Sequence, residues 1–131
     1  MGTVNFVMMK SLLLLIALFV LAPVMASAQK AYEAVEYSAS HNNLKFQFTL
    51  GNGYLGASQI RLLQKDTKPV KFYPESNVPD NKDQLIFRAA KHHDYFIMNS
   101  MHESYDDVPK IMIGRYWSGN HWSVIKFVLK R

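Results

Sequence analysis

Leu44, Phe46, Phe48 and Leu50 alternate with Lys45, Gln47 and Thr49. A period of two is the pattern of a strand with one face on a core and the other in water. Gly51-Asn52-Gly53 follows, residues that accept positive φ, so the chain is expected to reverse there into a second strand starting near Tyr54. Gly56 marks a bulge or a close approach, and Gln59 to Leu63 carries the strand onward with Ile60 and Leu62 on one face.

The same alternation recurs to the C-terminus. Lys65 to Pro69 reads as a turn, and Val70 and Phe72 as the inward positions of a short strand ended by Pro74. Glu75 to Asp83 is expected to be the longest polar loop. Leu85 to Ala90 fits a strand, or a short helix capped by Asp80; the strand is favoured because Lys91-His92-His93-Asp94 makes a hairpin loop into Tyr95 to Met101. Lys110 to Trp117 and His121 to Lys130 flank Ser118-Gly119-Asn120, expected to be a three-residue turn, with Ile125, Phe127 and Leu129 inward. With Tyr32 to Tyr37 as a first strand, the pattern predicts an all-β fold: a small antiparallel sandwich or barrel of about seven to eight strands.

A different pattern occupies residues 1–28. Lys10 supplies a positive charge, Leu12 to Ala22 an apolar run of eleven residues, and Ala26-Ser27-Ala28 a small-x-small cleavage site. This is the tripartite order of a secretory signal peptide. A transmembrane helix needs about 20 apolar residues, and Pro23 interrupts this run well before that. Met8 or Met9 serves the same signal as well as Met1 as a start. Removing 28 of the 131 residues leaves 103, a single β-rich domain over 29–131 whose net charge falls from +5 to +4 with the loss of Lys10. The expected location is periplasmic or secreted.

With no cysteine anywhere, such a domain is held by packing alone, and thiol nucleophiles, thiolate metal sites and redox chemistry drop out. The mild, dispersed positive charge favours anionic surfaces but not nucleic acid. Gly51 to Gly56 lacks the Gly-Lys-Ser/Thr ending of a phosphate-binding loop, and Gly56-Ala57-Ser58-Gln59 lacks the second glycine of a nucleophile elbow. Asp106-Asp107 and the pair Glu33 and Glu36 read as solvated acids, because glycosidase chemistry needs two carboxyls about 5 to 10 Å apart across a cleft.

Two constellations remain. Tyr116, Trp117 and Trp122, with Arg115 beside them, surround the last turn, where flat rings and a guanidinium can bind a ligand. His92, His93, His102, Glu103 and His121 have the donor atoms of a metal site, but lack a His-Glu-x-x-His or His-x-His spacing. Residues adjacent on a strand point to opposite faces, so His92 and His93 share an ion only from a loop. The expected function is therefore non-enzymatic binding, without a cofactor, of an envelope or extracellular protein or a glycan. The alternative is a metal-binding protein or small hydrolase built on the histidine group. No stable membrane insertion is expected after cleavage, and the chain is expected to be a monomer or an edge-strand dimer.

Overall fold

A computed structural model of the protein describes residues 31–131. The signal peptide expected over 1–28 and its cleavage before Gln29 lie outside the described residues. Among the described residues, eight antiparallel strands form a closed barrel in sequence order: β1 (Glu33–His41), β2 (Leu44–Asn52), β3 (Gln59–Leu63), β4 (Val70–Pro74), β5 (Leu85–Arg88), β6 (Tyr95–Met98), β7 (Ile111–Trp117) and β8 (Trp122–Leu129). Of the two architectures expected, the barrel is the one adopted. It closes where β1 meets β8, with Tyr37 opposite Leu129 and Ser38 opposite Val128. Closure pairs β1 with β8, so among the described residues neither terminal strand is left as a free edge.

Local chemistry sets the turns. Asn42 and Asn43 join β1 to β2 with φ of 45° and 65°, the two positive values that a tight hairpin turn requires and that asparagine tolerates. At the far end of β2 the ladder runs on to Asn52, and the chain reverses through Gly53 (φ 94°) and a single 3-10 turn, Leu55–Ala57. The next strand thus begins at Gln59 rather than near Tyr54. Gly56 sits in a close approach: a Cβ there would lie 2.1 Å from Asn77 Oδ1. Strand β5 settles the choice over 85–90 in favour of a strand, while Asp80 caps its own loop, its Oδ1 accepting the Lys82 and Gln84 N–H groups at 2.8 and 3.0 Å. Those two bonds hold the Asp80 carboxyl below its ordinary range. The longest connection is not 75–84 but 99–110, because the strand expected to reach Met101 ends at Met98.

The interior is filled. Phe46, Phe48, Phe72, Phe87, Phe96 and Phe127 are fully buried together with Tyr37, and neighbouring rings meet mostly edge to face at 4.9 to 6.4 Å between centroids. Eight strands enclose just enough space for side chains or one small ligand, and here rings occupy it. One end is sealed by the 99–110 loop: Met101 is buried, Asn52 Nδ2 donates to the Tyr105 carbonyl, and the Tyr105 N–H donates to Asn52 Oδ1. Ser58, buried among apolar groups, accepts the Gly51 N–H on its Oγ at 2.8 Å. Replacing Ser58 with alanine strands that donor, and chemical denaturation is expected to show a loss of about 1 to 3 kcal/mol.

Two phenols face this interior. Tyr37 donates to the Pro109 carbonyl at 2.6 Å, and burial, with a smaller contribution from nearby Tyr105, pushes its pKa up to about 12. Tyr116 donates to Asp94 Oδ2 at 2.7 Å and is raised still further, first by burial and then by that bond and the Asp94 charge. Raised phenols hold their protons in the folded state, so this contribution is complete below the ordinary value of 10.0 and is lost as pH rises through about 12. Urea midpoints are therefore expected to fall steeply only above about pH 10. Tyr37→Phe should remove part of that slope.

Candidate functional site

Strand pleating sends alternate residues of β5 to β8 out of the barrel, and antiparallel register lines them up from strand to strand. Tyr73, Arg88, Tyr95, Trp117 and Trp122 stand opposite one another in one row that crosses five strands near one end of the barrel. The next row comprises Ile86, Ile97, Arg115 and Val124. Farther along, Ile113 lies opposite Lys126 and Ile111 opposite Val128. Phe87, Phe96, Met112, Tyr116 and Ile125, the residues between them, are buried.

Contacts within the first row order it. The Trp117 and Trp122 rings lie 5.2 Å apart at 48°, and Tyr95 meets Trp122 edge to face at 5.5 Å. The Arg115 guanidinium stands 5.4 Å from the Trp122 ring centre, and that of Arg88 4.6 Å over Tyr95 while pairing with Glu75. Aromatic and cation-π contacts of this kind hold side chains in place before any ligand arrives. The surface is also apolar beyond what a solvated sheet needs: Val124 is 65% exposed and Trp122 44%, with Ile111, Ile113 and Val128 exposed beside them. Among the outward residues of β5 to β8, Arg88, Arg115 and Lys126 are cationic and none is anionic.

The turn beneath the tryptophans is tighter than expected. Trp117 and Trp122 form the last pair, the Ser118 N–H donates to the His121 carbonyl at 3.1 Å, and Gly119 alone carries positive φ, at 108°. Gly119 and Asn120 make the reversal, rather than three residues. Of the four binding residues expected from the sequence, Arg115, Trp117 and Trp122 share the outer face. Tyr116 does not: at 6% exposed it points into the barrel, because the pleat turns it away from both neighbours. Tyr73, Arg88, Tyr95, Val124 and Ile113 join the surface without having been singled out. Ile111-Met112-Ile113 is apolar at every position, and such a two-faced run is the signal that an outward stripe exists.

The histidine group is divided. His92 and His93 lie in the connection from β5 to β6, and His121 in that from β7 to β8; both connections are at the same end of the barrel. His102 and Glu103 belong to the connection from β6 to β7, at the opposite end. His92 Nδ1 is 3.6 Å from Asp94 Oδ1, His121 Nδ1 bonds Asn120 Oδ1, and the His102 ring packs on Tyr105. The Glu103 carbonyl accepts the Gly53 N–H. Among the described residues, no three His, Asp or Glu side chains come close enough to hold one ion. The histidine group that the alternative reading would gather around one ion is thus split into local contacts at two ends. No protein-family model matches the chain, and neither a curated protein nor a solved structure matches it at a significant level.

Proposed function

We propose that the domain is a non-enzymatic binding module, exported to the periplasm or beyond the cell, that docks a protein partner through the outer face of β5 to β8. The observation that carries this reading is the register-aligned surface of Trp122, Trp117, Tyr95, Val124 and Ile113, apolar yet turned to solvent. Interface cores are built from such preordered aromatic residues and arginine, with charge kept to the rim. A filled interior supports an external site over enclosed cargo. The β-branched aliphatic rows favour a protein over a glycan, because a sugar needs ring faces and many polar partners, whereas Val124, Ile113 and Val128 supply neither. Arg88, Arg115 and Lys126 favour a partner that presents carboxylates. Strands β3 to β6 have four or five residues, against about 9 to 11 in a membrane-spanning strand, which supports a barrel that works outside the bilayer.

Native mass spectrometry of the protein purified from its own envelope fraction tests the reading. A bound protein of defined mass, lost in a Val124→Asp variant that stays folded, is the expected result. A sugar in its place would assign the face to a glycan instead. A complex that survives both Val124→Asp and Trp122→Ala would remove this face from the binding function.

A further inference from the structure

Pairing around the barrel is short at two seams, β1 with β8 and β4 with β5. Strands β4 and β5 share only Tyr73 opposite Arg88 and Pro74 opposite Phe87, and the Glu75 N–H donates to the Ile86 carbonyl at 2.9 Å. In an antiparallel ladder, alternate residues bond to the same neighbour. Glu75, Tyr73 and Lys71 therefore direct their backbone groups towards the β5 side, while Phe72 and Val70, opposite Ile60 and Leu62, serve β3. Strand β5 stops at Arg88 and the chain turns off, with the His92 N–H returning to the Ala89 carbonyl and Lys91 at φ 64°. Lys71 has no backbone partner on that side among the described residues. Lys71 lines an open cleft of about 410 Å³ on that side of β4.

Two features of the cleft select its occupant. The first is a vacant place for one more extended segment, since an unpaired strand edge binds a peptide by continuing the ladder. The second is the chemistry on either side of the pleat. Val70, which packs against the core, and Ala89 would meet the inward side chains of an added strand, whereas Lys71 and the half-exposed Tyr73 flank the outward ones. Lys68, Pro69, Ala90 and His92 complete the lining, and no carboxylate contributes to it. Apolar inward and cationic outward is the complement of a strand that alternates apolar and acidic residues.

We propose that this cleft takes an extended segment of a partner protein, alternating acidic and apolar residues, which pairs with β4 through Lys71 as an added strand. The site adjoins the outer face through Tyr73 but does not depend on it.

Amide exchange and chemical-shift mapping on the isotope-labelled protein test the proposal, with a blocked peptide alternating glutamate and valine as the probe. The Lys71 amide is expected to exchange rapidly in the free protein and to slow by about tenfold or more when the peptide saturates. Shift changes should centre on Val70, Lys71, Ala89 and Ala90. A peptide alternating lysine and valine should bind at least about tenfold more weakly, and Lys68→Glu with Lys71→Glu should reverse that preference. Val124→Asp should leave the titration unchanged, which separates this site from the outer face. A Lys71 amide protected without peptide, shifts that map elsewhere, or binding indifferent to charge reversal would overturn it.

Discussion

Replacing Phe48 with alanine is expected to cost about 3 to 5 kcal/mol, the loss of a fully buried ring. The Phe48 ring meets Tyr37 on β1, Phe87 on β5 and Phe127 on β8, at 5.6 to 5.8 Å between centroids. It therefore ties both sides of the closing seam to the opposite wall. Removing it opens a void that rigid rings cannot collapse into, so the cavity cost adds to the lost burial. A domain of about 100 residues has about 5 to 15 kcal/mol in total, and with no cysteine in the sequence no disulfide limits its unfolded ensemble. The thermal midpoint should fall by on the order of 15 to 30 °C, read by circular dichroism. Phe48→Leu keeps most of the volume and should cost less than half as much. A midpoint that moves only a few degrees in the alanine variant would mean that the barrel interior is not where stability resides.

Truncating Trp122 to alanine should affect binding far more than folding. Its ring contacts Trp117, Tyr95 and Arg115, all on the outer face, and is nearly half exposed without a partner. Stability should change by about 1 kcal/mol or less, the scale of an aromatic cross-strand pair. An interface anchor of this type carries about 2 to 4 kcal/mol of affinity, so a partner identified by mass spectrometry should bind roughly 30- to 1000-fold more weakly by titration calorimetry. The loss should appear as faster dissociation, because the cations that steer encounter remain. Equal affinity for Trp122→Ala and the parent protein would show that the tryptophan pair is only a hairpin clasp.

Much of this surface could be read locally, and the parts that could not share one cause. Trp117 and Trp122 face each other because a turn of fixed length lies between them, a relation contained within six residues of sequence. Adjacency in sequence places Tyr116 in the same set, but the pleat sends it inward to Asp94. The histidines stay apart for a related reason. His93 and His102 are close in sequence, but β6 runs between them, and a four-residue strand carries the chain about 13 Å, from one end of the barrel to the other. Asn42-Asn43 is a hairpin signal in plain view, whereas the early end of β6 is not: Asn99 still donates its N–H to the Ile113 carbonyl, and the chain turns only at Ser100, at φ 54°, which leads Met101 into the core.

Sequence alone determined what depends on neighbours along the chain: period-two alternation makes strands, asparagine and glycine place three of the seven reversals, and the lack of cysteine leaves the fold without a disulfide. Tertiary structure decided what depends on strands that meet from far apart. Tyr37 closes the barrel against Leu129, and Tyr73, Arg88, Tyr95, Trp117 and Trp122 reach one row only through the registers that five strands adopt. Alternation states that a strand has two faces; which one turns inward in a run such as Ile111-Met112-Ile113 is settled by the volume the ring of strands can enclose. Six phenylalanines and two tyrosines, with leucines, methionines, Val35, Ile60 and Ile125, fill that volume, and Ile111, Ile113, Trp122, Val124 and Val128 are left outside, where a partner can reach them.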